Sequence, residues 1–264
     1  MVIKGKSSIC NKVVYEVRYK YGFTYLDRCG STVNEIMKSA SEWILSESSP
    51  NPQNAPLVSL RNGTRLNFSA LKYDFSLEQP LGSDKDLEEE DTNEFTKQVD
   101  FVSSILNERL NLKDFTRVGF RIWYLFASPT KEDSERWISE LLKEMPVDNS
   151  IATAFDGTIE AKNYIAIIAA KDRKFRISIN GVERYAQVDL GENILGLRAS
   201  QLSRDQNKFL LDQLKAKKRI AKNPAFAAMI DVDSFVEMPK DVEARDFITE
   251  SLRQIEGRLP NAFT

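Results

Sequence analysis

Histidine is absent from all 264 residues. Its imidazole is the one side chain that ordinarily titrates near neutrality. Without it the chain lacks the commonest general base, the usual partner of a nucleophilic serine or cysteine, and the commonest metal ligand. Carboxylate, lysine and tyrosine chemistry stay open, yet no motif claims them, so the chain reads as a non-enzyme. No glycine-rich phosphate loop, dinucleotide fingerprint or paired Cys-x-x-Cys occurs, and no cofactor is implied.

Cysteine is nearly absent too. Cys10 and Cys29 flank the first expected strand, and a disulfide between them would have to cross that strand's length. Free thiols in a reducing cytoplasm are the expectation. No run approaches the roughly 20 apolar residues that span a bilayer, and the start lacks the apolar core of a signal peptide, so no membrane partner is expected. Charge of one sign is lacking as well. The net charge is −2, with 16 basic and 17 acidic side chains in residues 1–130 and 21 and 22 in the remainder, so no global field attracts nucleic acid.

What is present is a patterned core, 42% hydrophobic and 10% aromatic. Val13, Tyr15, Val17 and Tyr19 alternate with polar neighbours as in a strand with one buried face. Thr32 and Glu35 stand at capping-box spacing before Ile36, Met37, Ala40, Trp43 and Ile44, which predicts a helix. Asn62-Gly63 predicts a hairpin between Leu57–Leu60 and Arg65–Ala70. The apolar phase then shifts near Ala70–Lys72, marking a bulge or a second turn. The acidic run from Asp84 to Glu94 reads as a solvated loop whose last carboxylates favour a helix N-terminus. Phe95, Val99, Val102, Leu106 and Leu110, widened by Phe101 and Ile105, describe that helix. Phe115–Phe126 suits a central strand covered on two sides, and Pro129-Thr130 opens another helix.

The second half repeats this grammar. Strands are expected at Ile151–Phe155, Thr158–Ala170 and Phe175–Ile179, with a hairpin at Asn180-Gly181 before Val182–Leu190. A helix over Ser203–Lys217, a strand over Phe226–Phe235 and a closing helix over Asp241–Leu259 follow. The expected fold is α+β, antiparallel sheets with packed helices in two similar, duplicated halves, 1–145 and 146–264. Two subdomains and one continuous sheet remain alternatives.

Several sets carry candidate chemistry. Arg117, Arg121 and Trp123 share one face of the long strand, and paired arginines beside an indole can hold an anionic or planar ligand, or snorkel from beneath a covering helix. Lys215, Lys217, Lys218, Arg219 and Lys222 cluster at the end of a predicted helix, within a segment (204–222) that is a candidate nucleic-acid contact. Asp231 and Asp233 form an Asp-x-Asp pair, a weak metal candidate that strand alternation also explains by pointing both at water. Asp156, Glu160 and Lys162 contain the residue types of metal-dependent nucleases, but the aspartate lies too close in sequence to the strand bearing the other two.

Val13-Val14-Tyr15-Glu16-Val17-Arg18-Tyr19, Arg117-Val118-Gly119-Phe120-Arg121 and Ile230-Asp231-Val232-Asp233 resemble stretches of a sporadically distributed bacterial family of uncharacterised proteins. The resemblance implies a bacterial cytoplasmic protein from gene neighbourhoods concerned with phage defence, and supplies no catalytic residues. The expectation is therefore a non-enzymatic protein-binding or assembly protein, an accessory of a bacterial defence or toxin-control system. It would present sheet edges or an apolar surface to a protein partner or to itself. The alternative is nucleic-acid binding through 204–222.

Overall fold

The structure, a computed structural model, describes residues 1–46, 53–79, 86–142, 163–184, 225–241 and 243–263. Among the described residues a small hairpin, β1 (Val2–Ile3) and β2 (Lys6–Ser7), precedes one sheet of nine strands. In chain order the sheet strands are β3 (Ile9–Tyr19), β4 (Trp43–Leu45), β5 (Ala55–Ser59), β6 (Arg65–Phe68), β7 (Lys72–Glu78), β8 (Phe115–Ser128), β9 (Asn163–Ala169), β10 (Lys174–Arg184) and β11 (Ala225–Glu237). Across the sheet they lie β4-β5-β6-β7-β3-β8-β11-β10-β9, every neighbouring pair antiparallel. The helices α1 (Thr24–Ser39), α2 (Glu89–Arg109), α3 (Lys131–Leu141) and α4 (Ala244–Arg258) complete the described fold, with a 3-10 turn at Pro260–Phe263. The protein is α+β, as expected, and of the two alternatives it forms one continuous sheet. Strands β8 and β11 join the strands of 1–145 to those of 146–264.

The described helices all lie on one face of the sheet. Its side chains are the period-two set: Val13, Tyr15 and Val17 on β3, Val118, Phe120 and Ile122 on β8, Ala228, Ile230 and Val232 on β11, all buried. Tyr25 of α1 meets Phe68 edge-on at 5.5 Å, Trp137 of α3 lies 4.7 Å from Phe126, and Phe247 of α4 packs on Tyr15. Helix α2 lays Phe95, Val99, Val102 and Leu106 onto the same face, where Asn107 accepts from the Tyr73 hydroxyl.

Local chemistry explains most boundaries. Gly63 takes φ +81° in the β5–β6 turn, closed by its N–H donating to the Ser59 carbonyl. The phase shift near Ala70 is a second turn, with Ser69 and Lys72 bonded across it. The end of the acidic run caps α2 reciprocally: the Glu88 side chain takes the backbone N–H of Asp91, whose side chain takes that of Glu88. Thr130 caps α3 by accepting from the Asp133 N–H.

Three expectations fail. Helix α1 starts at Thr24, eight residues before the anticipated cap. Thr32 lies inside it, its hydroxyl turned back to the Arg28 carbonyl, and Trp43 and Ile44 belong to β4. Asn180-Gly181 makes no turn; β10 runs through both, pairing them with Met229 and Ala228. The long neighbour β11 supplies a continuous ladder, which outweighs the turn preference of that dipeptide. Phe101 is exposed on α2 instead of widening its buried stripe. The expected strand at Ile151–Phe155, the helix at Ser203–Lys217 and the residues 185–190 lie outside the described residues.

Candidate functional site

On the face of the sheet away from the helices, the register gathers the residues singled out in the sequence. Asp231 stands opposite Trp123, Asp233 opposite Arg121, and Glu16 opposite Gly119. Arg121 grips Asp231 with two parallel hydrogen bonds, Nε donating to Oδ1 at 2.6 Å and Nη2 to Oδ2. Arg117 spans two strands, donating to Glu16 Oε1 at 2.9 Å and to Asp233 Oδ2 at 2.6 Å. Lys72 and Arg18 complete the charge balance around Glu16, and Lys72 also pairs with Asp74.

Gly119 makes this arrangement possible. The Arg117 side chain folds across it, so that a Cβ at Gly119 would lie 2.6 Å from the guanidinium Nη1. The indole of Trp123 carries Lys12 at 4.6 Å and Arg121 at 5.3 Å from its ring, and Arg117 also covers Phe235.

The electrostatics follow from burial and pairing. Asp231, at 4% exposure, does not face water as alternation suggested; it is held by Arg121. Arg121 in turn is raised above its ordinary range, first by its hydrogen bonds to Asp231. Asp233 is raised by burial, which outweighs the opposing pull of Arg117. Burial also acts to raise Glu16, but the Arg18 guanidinium and the Lys72 ammonium outweigh it and the net direction is down.

Sequence reasoning brought Arg117, Arg121 and Trp123 to one place, and the structure adds what holds them. The two arginines are gripped by carboxylates of adjacent strands and do not snorkel from beneath a helix, while the Trp123 ring lies under Lys12 and Arg121. An anionic ligand would have to displace Asp231, Asp233 or Glu16. Asp231 and Asp233, the weak metal pair, are each bonded to an arginine, and among the described residues no three acidic or thiol side chains group to hold a metal ion. Lys215, Lys217, Lys218, Arg219 and Lys222 lie outside the described residues, as do Asp156, Glu160 and Lys162. Glu16, Lys72 and Asp74 were missed because only register places them beside the arginines.

A second feature was anticipated only in kind. Strand β9 is the last in the sheet, and Ile165, Ile167 and Ile168 are exposed by 53%, 67% and 48%. Its sequence, Asn-Tyr-Ile-Ala-Ile-Ile-Ala, contains no charge and no proline. The opposite edge, β4, is three residues long, with Trp43 and Ile44 buried. Short, covered edges are a common protection against pairing with other chains, and among the described residues β9 has no such cover.

Among the described residues, fold and site together define an α+β protein built on one large antiparallel sheet, with helices on one face, ion pairs on the other and an uncovered apolar edge strand. No family model, curated protein or solved structure matches the chain. No helix among the described residues is long and apolar enough to cross a membrane.

Proposed function

We propose that this is a non-enzymatic protein-binding or assembly protein, whose strand β9, uncovered among the described residues, pairs antiparallel with β9 of a second copy. The carrying observation is the asymmetry of the two sheet edges. An isologous contact of this kind sets each strand against itself, and the absence of charge in β9 removes like-charge repulsion across the two-fold axis. Ile165 and Ile167 point to one face and Ile168 to the other, so continuation of the sheet would shelter apolar side chains on both sides. The saturated ion pairs of the charged face support a non-enzymatic reading, since they leave Arg117 and Arg121 committed within the protein. The resemblance to the bacterial family supplies the proposed setting, an accessory component of defence or toxin control. No observation within the described residues favours the nucleic-acid reading.

Light scattering on the full chain should give twice the 30.1 kDa monomer mass. Replacing Ile165 and Ile167 together by lysine should give a monomer with an unchanged far-ultraviolet circular dichroism spectrum. A strictly monomeric parent protein at micromolar concentration overturns the proposal.

A further inference from the structure

Pairing with β10 fixes which way each residue of β9 faces. Tyr164, Ala166 and Ile168 stand opposite Ile179, Ile177 and Phe175, and β11 continues these rows to Ile230, Val232 and Ser234 on the helical face. Ile165 and Ile167 stand opposite Ser178 and Arg176, whose partners on β11 are Asp231 and Asp233 of the ion-paired face. Every position along the edge thus belongs to one face or the other, and this limits how a second copy can meet it.

When two copies of one strand join antiparallel in a continuous sheet, their two-fold axis is normal to the sheet and each face stays on its own side. Residues directly opposite each other in an antiparallel pair project to the same side, so a helical-face residue of one copy must pair with a helical-face residue of the other. The pleat therefore puts the axis at a residue, never between two. With the axis at Ala166, all seven residues of β9 pair with β9 of the second copy: Ile165 with Ile167, Tyr164 with Ile168, Asn163 with Ala169. The exposed Ile165, Ile167 and Ile168 each gain an apolar neighbour. Moving the axis to Ile165 leaves Ile168 and Ala169 beyond the second copy's β9. Moving it to Ile167 sets Tyr164 and Asn163 against Ala170 and Lys171, in the turn closed by the Ala170 N–H donating to the Arg173 carbonyl. Among the described residues, both outer edges of the joined sheet are then β4, three residues long with Trp43 and Ile44 buried, so growth stops at two copies.

We propose that two copies join with Ala166 on the two-fold axis, Ile165 against Ile167 and Tyr164 against Ile168, so that their helical faces share one side of a continuous sheet and their ion-paired faces the other. This register rests on the β9 assembly proposed above.

Single cysteines in the Cys29→Ser chain, whose remaining Cys10 is buried, read the register. Facing Cα atoms of an antiparallel pair lie about 4.5–5.5 Å apart, within disulfide reach, whereas a position one residue from the axis meets its own copy at about 8 Å, outside it. The variants are oxidised with diamide at a concentration where light scattering shows each reduced variant to be dimeric. Ala166→Cys should then run as a covalent dimer on a non-reducing gel, and Ile165→Cys and Ile167→Cys alone as monomers. A mixture of the two isoleucine variants, allowed to exchange subunits, should form the covalent dimer again. Paired positions alternate in geometry along the ladder, so either of these cross-links supports the register, provided neither isoleucine variant bonds to itself. A reduced dimer in which Ile165→Cys or Ile167→Cys alone cross-links, or in which neither Ala166→Cys nor the mixture does, overturns the register and leaves the assembly standing. A monomeric parent chain overturns both.

Discussion

Arg121 and Asp231 show how little a residue's type says about its cost. The aspartate is buried and its bidentate partner half-exposed. Arg121→Ala leaves a buried carboxylate without its counter-ion. Breaking a fully buried pair costs about 3–5 kcal/mol, and water reaching this site lowers the expected loss to roughly 2 kcal/mol by urea unfolding. Arg121→Lys keeps the charge but loses the paired hydrogen bonds, and should recover only part of that loss. The two cysteines make a second contrast. Both thiols are free, as the sequence suggested. With Cys10 pushed up to about 12, mostly by burial, its thiolate is scarce at pH 8, so iodoacetamide should label it only after unfolding. Mass spectrometry of the Cys29→Ser variant reads Cys10 alone.

At the scale of elements, the pieces that were legible carry their own instructions. The β5–β6 hairpin follows from Asn62-Gly63, the start of α3 from Thr130, and strands β3 and β8 from strict alternation of large apolar residues. Gly63→Ala must hold alanine at a positive φ and should destabilise the protein by about 1 kcal/mol, measured as a shift in the urea midpoint at unchanged slope. The pieces that were misread depend on neighbours. Asn180-Gly181 has the composition of a turn, yet β11 offers eleven consecutive partners from Phe235 to Ala225, and the dipeptide is drawn into the ladder. Trp43 and Ile44 fit the helical spacing of Ile36 and Ala40, but β5 pairs with them and they become an edge strand.

For the whole molecule, the ion-paired face links four strands, and acid should loosen it. Glu16 titrates below its ordinary value in the folded protein, through Arg18 and Lys72 acting against its burial. Its contribution is therefore fully present above pH 4.5, the unfolded value, and is lost as pH falls through the lower folded value. Asp233 is raised, so it acts in the opposite sense and its cost is relieved in acid. Urea midpoints between about pH 6 and pH 3.5 should fall less steeply for Glu16→Gln than for the parent, and more steeply for Asp233→Asn. Parallel profiles for all three would mean that this cluster does not control the acid response.

Periodicity and turn chemistry determined the α+β class, the main helices and the helical face of the central strands, because those depend on neighbours a few positions apart in the chain. The missing histidine likewise narrowed the chemistry without any structure. Strand order and register were decided only in three dimensions. Glu16, Arg117 and Asp233 come from strands separated by about a hundred residues each, and no local pattern encodes which edges meet. The same holds for the feature on which function is proposed: among the described residues, an uncovered edge exists only once the other strands have found partners.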